Sequence, residues 1–197
     1  MKRISIAVIA AFFLIAVPAS VTAAEVPKPG AACEMKGAVV TAKSRTYVCQ
    51  PSGTWTKGLK KSKSALTTKD MWVKAADSGM TAAFGMVTNP TAKDIRVIGA
   101  TSPQYSSMLQ LHEVVMNSET NSMVMQEKEK GFVIPAGETV MLKPGGDHLM
   151  FMGVKKPITA GATIPITLIG SHGEQLKFRA LVKVYSGANE NYEHSGM

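Results

Sequence analysis

The sequence has few of the residues on which common cofactor sites and enzymes depend. Its 197 residues include two cysteines, four histidines and only 6% aromatic residues. Two cysteines exclude a multi-disulfide scaffold and any four-cysteine zinc or iron–sulfur site, and four histidines leave room for one metal site. There is no glycine-rich phosphate loop, no GxSxG and no HExxH. We therefore expect a protein that is not an enzyme.

Long apolar runs are also scarce, with one exception near the N-terminus. Residues 4–17 are largely apolar, follow Lys2 and Arg3, and lead to the small residues Ala23 and Ala24. This order is typical of a secretory signal peptide, and the run is short for a membrane span. We expect residues 1–24 to be cleaved and the protein to be extracytoplasmic, in the periplasm or cell envelope. A retained N-terminal anchor is the alternative.

Export determines how the two cysteines are interpreted. Cys33 and Cys49 form an even pair in an oxidising compartment, which predicts a disulfide. Two β-prone runs around a polar turn lie between the two cysteines, and the second run ends at Cys49. Residues 25–62 are therefore expected to form a small β-hairpin module stapled by the disulfide. A redox-active or copper-binding thiol pair is the alternative, although catalytic pairs usually have CxxC spacing.

The net charge of +8 is concentrated in one polar stretch. Lys57, Lys60, Lys61 and Lys63 lie close together, but only one aromatic residue, Trp55, lies near them. Nucleic-acid binding would require stacking aromatics or a binding motif. We therefore expect a solvated basic linker at residues 63–67, no nucleic-acid partner, and at most weak contact with a membrane or cell-wall surface.

From residue 68 onward the pattern is β throughout. Short, often alternating apolar runs are separated by turn signals such as Asn89-Pro90 and Pro144-Gly145-Gly146. These runs predict an antiparallel sandwich or barrel of about 120 residues. We expect strands at 71–76, 81–89, 94–102, 108–116, 121–127, 139–144, 148–154, 163–170 and 175–186.

The sequence is rich in methionine, with 13 residues, and several share a strand with histidine. Because side chains alternate along a strand, His148, Met150 and Met152 point to one face while Leu149 and Phe151 point to the other. The pairs His112 with Met116 and Met123 with Met125 are each in phase in the same way. Imidazoles and thioethers that converge across strands would form a soft-metal site. The alternative is that the methionines fill the core and the histidines lie at the surface.

Thioether sulfur is neutral and polarizable, so a mixed set of His and Met favours Cu(I) over Zn(II), Mg(II) or Ca(II). Thioethers are also not drawn into disulfides outside the cytoplasm, whereas thiolates are. A set of three or four such ligands would hold Cu(I) and still release it.

Residues 68–187 resemble the PCu(A)C family, periplasmic copper chaperones that supply the CuA centre of cytochrome c oxidase. The matching stretches are DMWVKAADSGMTAAFGMVTNPT, IGATSPQYSSMLQLHEVVM and IPAGETVMLKPGGDHLMFMGVKKPI. The resemblance implies a cupredoxin-like Greek-key β-sandwich that binds Cu(I) through two His and two Met. It also implies an apo-oxidase CuA subunit or a Sco-type thiol chaperone as the partner.

Carried over from the family, the ligands are His112, Met125, His148 and Met150. Twelve residues separate His112 from Met125, where the family pattern has about ten. Met123 keeps the spacing from His112 but lies farther from His148. We favour Met125, because an insertion of two residues fits most simply in the loop that precedes it. Met116 and Met152 are then expected in the core or shielding the site from water.

Two features lie outside the family pattern. One is the cysteine module, and the other is the C-terminal tail, residues 188–197, which is expected to be flexible. The tail carries His194 and Met197 as further candidate ligands and could bind Cu(II). His172 lies in the sequence SHGEQ and is expected to be a surface turn residue.

Three functions remain compatible with such a site. A copper carrier would hand Cu(I) to an acceptor, and a sequestration or resistance protein would hold it without a dedicated acceptor. An electron-transfer cupredoxin would need a cysteine thiolate beside its histidines. Both cysteines lie well before His112, so this third function requires that they are not paired with each other.

Overall fold

The computed structural model describes residues 26–187 as an all-β protein, which confirms the predicted fold class. Fourteen strands follow one another along the chain, and no helix among these residues is long and apolar enough to cross a membrane. The strands are β1 Val39–Ala42, β2 Arg45–Val48, β3 Leu59–Lys60, β4 Ser62–Lys63, β5 Thr67–Lys74, β6 Thr81–Thr88, β7 Ile95–Thr101, β8 Ser106–Asn117, β9 Ser122–Glu127, β10 Phe132–Ile134, β11 Thr139–Leu142, β12 His148–Val154, β13 Thr163–Gly170 and β14 Glu174–Lys183.

Strands β4 to β14 form one large sheet that folds over itself. Its order is β10-β7-β13-β14-β5-β6-β12-β8-β9, with β11 on β6 and β4 on β14. A further bridge between Ala100 and Leu109 joins β7 to β8, so the sheet closes on itself around its interior. Most neighbouring strands are antiparallel, whereas β14 runs parallel to β5 and to β4.

The two faces of this sheet bury different residues. The interior holds the large apolar core, whose buried members run from Leu66 to Val182 and include Leu149 and Phe151 of β12. The opposite face of the same strands carries a smaller buried cluster of Ala82, Phe84, Met125 and Met150. Strand alternation therefore separates the chain's main core from its methionine-bearing face, as the sequence predicts.

The N-terminal module is stapled as predicted, with the disulfide between Cys33 and Cys49 in place. Strands β1, β2 and β3 form a separate three-stranded sheet. This module packs against the large sheet through a third apolar cluster, in which Val48 and Leu59 contact Ile169. It is therefore a layer on the sandwich rather than an isolated appendage.

The segment expected to be a solvated linker, residues 63–67, is packed instead. The backbone N–H groups of Ser62 and Ser64 donate to the carbonyl oxygens of Gly173 and Gln175, and Leu66 is buried in the main core. The charged side chains of Lys61 and Lys63 remain exposed. The lysine-rich composition reflects only the side chains that face solvent. The backbone of the segment pairs with β14 as a short strand.

Candidate metal centre

Strand register brings the four predicted ligands to one place. β12 pairs antiparallel with β8, and His148 lies directly opposite His112. On the other side of β8, Met125 of β9 lies opposite Val114, one diagonal step from His112. Met150 follows His148 by two residues and therefore points to the same face. Two imidazoles and two thioethers thus converge from β9, β8 and β12.

All four side chains are withdrawn from solvent. The exposed fractions are 0% for His112, 1% for His148, 3% for Met125 and 8% for Met150. Burial of two imidazoles is costly unless their nitrogens have partners, so each ring is expected to be oriented by a specific contact.

The ring of His148 is oriented by the turn that precedes β12. Its Nδ1 lies 2.8 Å from the carbonyl oxygen of Gly146, which can only accept a hydrogen bond. Nδ1 therefore carries the proton, and Nε2 of the neutral ring presents its lone pair. That lone pair faces the sulfur of Met125, 2.9 Å away. Two neutral donor atoms are thus directed at one point, where a soft cation would be held by both.

The ring of His112 is oriented by Gln110, two residues earlier on the same face of β8. The Gln110 amide nitrogen donates to the backbone carbonyl of Lys36 at 3.2 Å, which turns the amide oxygen toward His112. That oxygen lies 2.9 Å from Nε2 of His112 and accepts its proton. Nδ1 is therefore the nitrogen that can donate a lone pair to a metal. Gln110 thus selects the tautomer of His112, as the hydrogen-bond partners of histidine do at metal sites.

The electrostatics of the pair favour neutral imidazoles. Burial, and after it the neighbouring His148, lowers the pKa of His112 from its ordinary value of 6.5 to about 3. The rings of His112 and His148 lie 5.5 Å apart, so protonating both would bring two charges together in a dry site. Neutral imidazole is the form that binds metal ions.

Aromatic side chains close the site on the β6 side. Phe84 lies 6.0 Å from the His148 ring, and Trp72 packs on Phe84 with a centroid distance of 4.7 Å. Tyr185 in turn contacts Trp72 at 5.3 Å. This apolar cover limits water access, which favours Cu(I) over more strongly hydrated ions.

A cavity of about 100 Å³ adjoins the site. Three of the four predicted ligands line it, and its other walls are supplied by β5, by β6 and by the turn between them. These other lining residues are Lys74, Ala75, Ala76, Met80, Thr81 and Ala82.

A larger cavity, of about 260 Å³, lies between the N-terminal module and the sandwich. It is lined in part by Gly37, Arg96 and Glu127 and by none of the predicted ligands. Burial raises the pKa of Glu127 to about 7, opposed by the charge of Lys36. This larger cavity is a gap between the module and the sandwich and is not part of the histidine and methionine cluster.

The structure separates the remaining candidates from the four buried residues. Met123 is on the same face of β9 as Met125 but is 56% exposed, and it lies opposite Met116, which is 58% exposed. Met116 therefore does not lie in the core, which was one of the two places expected for it. Met152 packs against the methionine cluster, as expected. His172 lies exposed in the turn before β14, whereas His194 and Met197 lie outside the described residues.

Sequence reasoning did not identify Gln110, the carbonyl of Gly146 or Met80. The first two act through contacts between the site and a turn or a distant module, and no local pattern signals such contacts. Met80 could have been suspected from the excess of methionine, but its place beside the site depends on how β6 pairs with β5 and with β12.

Comparison with known proteins places the sandwich in a family. Residues 66–182, more than half of the chain, match the family described as "Putative lipoprotein LpqE-like". A curated relative, "Putative lipoprotein Lxx21020" of Leifsonia xyli subsp. xyli (strain CTCB07), is 52% identical over 122 residues. That match covers 62% of this chain and 72% of the relative.

Solved structures share the fold at low sequence identity. "Apo PCuAC domain from PmoF1" is 14% identical with a TM-score of 0.50, over 63% of this chain and 98% of that one. "Copper-bound PCuAC domain from PmoF2" is 18% identical with a TM-score of 0.50, over 63% and 97%. The matched segment has the same limits as the main core, Leu66 to Val182. The chain belongs to the LpqE-like family, and its sandwich has the fold of PCuAC domains.

Proposed function

We propose that this protein is an extracytoplasmic copper chaperone that binds one Cu(I) through His112, Met125, His148 and Met150. The observation that carries the proposal is the 2.9 Å approach of His148 Nε2 to Met125 Sδ, with Nδ1 of the same ring held by Gly146. Two neutral soft donors that face each other in a buried site suit a monovalent soft cation. One of the structural relatives is a copper-bound PCuAC domain, which supports the same metal here.

The choice of Cu(I) follows from the charge of the donor set. Imidazole and thioether ligands add no negative charge, so a divalent ion would remain largely uncompensated in a buried apolar site. Among residues 26–187, no three His, Cys, Asp or Glu side chains come together as a metal-binding group. The chain's two cysteines are joined to each other, which leaves no thiolate for an electron-transfer copper site.

The proposal is tested by titrating Cu(I) into the protein against a chromogenic Cu(I) chelator under anaerobic conditions. We expect one copper per chain, and X-ray absorption at the copper edge should show two nitrogen and two sulfur neighbours. Zn(II) should not compete at equal concentration. Absence of Cu(I) uptake, or a shell without sulfur, would refute the proposed site.

We further propose that the acceptor is the apo CuA subunit of cytochrome c oxidase or a thiol-bearing Sco-type partner. Thiolates bind Cu(I) more tightly than thioethers do, so copper held by this donor set would move to such a partner by ligand exchange. Mixing the copper-loaded protein with an apo CuA domain should transfer the metal. Retention of copper under these conditions would favour sequestration instead.

An envelope location is part of the proposal. The relative and the family both have the word lipoprotein in their names. In this chain both cysteines are in the disulfide, so neither thiol is available for a lipid. Export to an oxidising compartment accounts for the disulfide directly.

A further inference from the structure

The four proposed ligands are almost completely buried, and this raises the question of how copper reaches and leaves them. A partner's sulfur would have to approach within bonding distance of a metal surrounded by side chains that are 0–8% exposed. Cu(I) transfer between proteins proceeds by exchange of one ligand at a time. Some accessible donor is therefore needed at the edge of the site.

Met80 is a soft donor at that edge. It lines the cavity of about 100 Å³ together with Met125, His148 and Met150. Unlike these three it is 46% exposed, so its side chain spans the cavity wall and the solvent. Most of the other lining residues are small, with Ala75, Ala76 and Ala82 leaving room beside the sulfur-bearing side chains.

Hydrogen bonds hold the backbone around Met80 in place, while the Met80 side chain can still change rotamer. The carbonyl of Gly79, a residue with φ of 73°, accepts a hydrogen bond from the N–H of Val154 at 2.7 Å. The hydroxyl of Thr81 donates to the carbonyl of Lys74 at 2.7 Å, and Thr81 pairs with Phe151 of β12. Methionine has three rotatable bonds, so a fixed backbone still allows the sulfur to swing between cavity and solvent.

We infer that Met80 is the exchange ligand of this site, an inference that rests on the proposed function. A Cu–S bond to Met80 forms as the bond to one buried thioether breaks, and copper remains Cu(I) throughout, so no electron is transferred. A partner thiolate then displaces the Met80 sulfur from copper, and the remaining bonds to the buried ligands break one by one as further partner donors replace them. The buried ligands set the affinity, and Met80 sets the rate of entry and release.

The test compares three variants of the whole mature protein by affinity and by rate. Met80→Leu keeps the volume but removes the sulfur, and Met80→His restores a Cu(I) donor at the same position. Met141→Leu is the matched control, because Met141 is a comparably exposed methionine on β11 that does not line the cavity. Stopped-flow transfer of Cu(I) to a chelator gives the release rate, and equilibrium competition gives the affinity.

We expect Met80→Leu to slow release by roughly tenfold while the dissociation constant stays within about twofold. Met80→His should recover most of the lost rate, and Met141→Leu should change neither quantity. Release of copper from Met80→Leu at the rate of the unsubstituted protein would overturn the inference. So would equal slowness in the His variant, or a tenfold loss of affinity in the Leu variant, which would make Met80 a permanent ligand.

Failure of the proposed function has a different signature. If the unsubstituted protein takes up no Cu(I), both the site and its exchange ligand are refuted. If uptake is normal and the Met80 variants behave like the control, only the exchange ligand is refuted. Methyl NMR with Ag(I), a redox-stable analogue of Cu(I), provides a second measurement. The methyl signal of Met80 should shift on titration, and that of Met141 should not.

Discussion

Met123 and Met125 share one face of β9 but have different surroundings. Met125 is packed between Phe84, Val114 and the His148 ring, whereas Met123 extends into solvent opposite Met116. Both have the same in-phase position along the strand, so alternation does not distinguish them. Burial distinguishes them, because only the buried Met125 contacts the imidazole nitrogen of His148. A thioether in that position could bind the same metal ion as the imidazole.

Replacing Met125 with Leu removes one sulfur from the proposed copper shell at nearly constant volume. We expect Cu(I) affinity to fall by about tenfold or more, which corresponds to about 1.4 kcal/mol. The matched control is Met123→Leu, which should leave the affinity unchanged and, at an exposed position, alter the free energy of unfolding by less than about 0.5 kcal/mol. Loss of affinity in the Met123 variant with Met125→Leu intact would reverse the assignment.

His112 should make the stability of the metal-free protein depend on pH. Its pKa is lowered from 6.5 to about 3, first by burial and then by His148. The unfolded chain therefore takes up a proton as pH falls below about 6.5 while the folded chain does not, so the free energy of unfolding decreases toward acid. The stabilising effect is complete above pH 6.5 and is lost progressively between that value and about 3.

Urea unfolding at pH 6.5, 5.5 and 4.5 measures this contribution. His112 alone should lower the free energy of unfolding by roughly 1 kcal/mol for each pH unit in this window. The variant His112→Asn cannot take up the proton and should have a correspondingly flatter profile, whatever its absolute stability. Parallel profiles for the two proteins would mean that His112 titrates normally in the folded state.

At the scale of elements, the approach of the N-terminal module to β8 depends on one glycine. Gly37 has φ of 81°, and a Cβ at this position would lie 2.7 Å from the carbonyl oxygen of Leu109. The adjacent carbonyl of Lys36 is the acceptor that orients Gln110, and Gln110 in turn orients His112. The close contact of Gly37 with Leu109 therefore helps to fix the tautomer of His112 through Lys36 and Gln110.

Gly37→Ala should push the module away from β8 and weaken the Lys36–Gln110 hydrogen bond. Gly53→Ala is a suitable control, because Gly53 has a similar φ of 75° but its Cβ would meet only ordinary contact, at 3.8 Å. Left-handed strain should cost about 1–2 kcal/mol in both variants, and the clash should add about 1–3 kcal/mol at Gly37. Only Gly37→Ala should shift the NMR signals of the His112 ring. If the two substitutions had equal effects on the His112 signals, the position of the module would have no influence on the site.

Much of the element order could be predicted from alternation and turn residues. The strand expected at 148–154 is β12, His148–Val154, and that expected at 163–170 is β13, Thr163–Gly170. The three-residue strand β10, Phe132–Ile134, was missed because it is too short to display a period. Strand β4, Ser62–Lys63, was missed because its side chains are polar and exposed and only its backbone pairs with β14.

For the whole molecule, the disulfide should stabilise the module more than the sandwich. The main core draws its buried members from Leu66 to Val182 and takes none from the stapled module. The module contacts the sheet through the small cluster of Val48, Leu59 and Ile169. Two units whose buried clusters are separate need not unfold together.

A Cys33→Ser, Cys49→Ser double variant should therefore unfold in two steps. A disulfide across a sequence separation of 16 contributes about 3 kcal/mol through the unfolded chain, enough to loosen residues 33–49. Hydrogen exchange should show lost protection in β1 and β2 and retained protection in β13 and β14. Uniform loss of protection in both units would mean that the module is an integral part of the sandwich.

The features that could be predicted from the chain without its fold are local: the phase of each strand, the disulfide, and the presence of two imidazoles and two thioethers on faces opposite the core. These follow because side chains alternate with a period of two and because an exported cysteine pair is oxidised. The family spacing already favoured Met125 over Met123, and the fold adds that Met125 is buried against His148. Two further features required the folded molecule: His112 lies opposite His148, and Lys36 orients Gln110. Register between distant strands and the docking of a module depend on packing over the whole molecule, which no short stretch of sequence specifies.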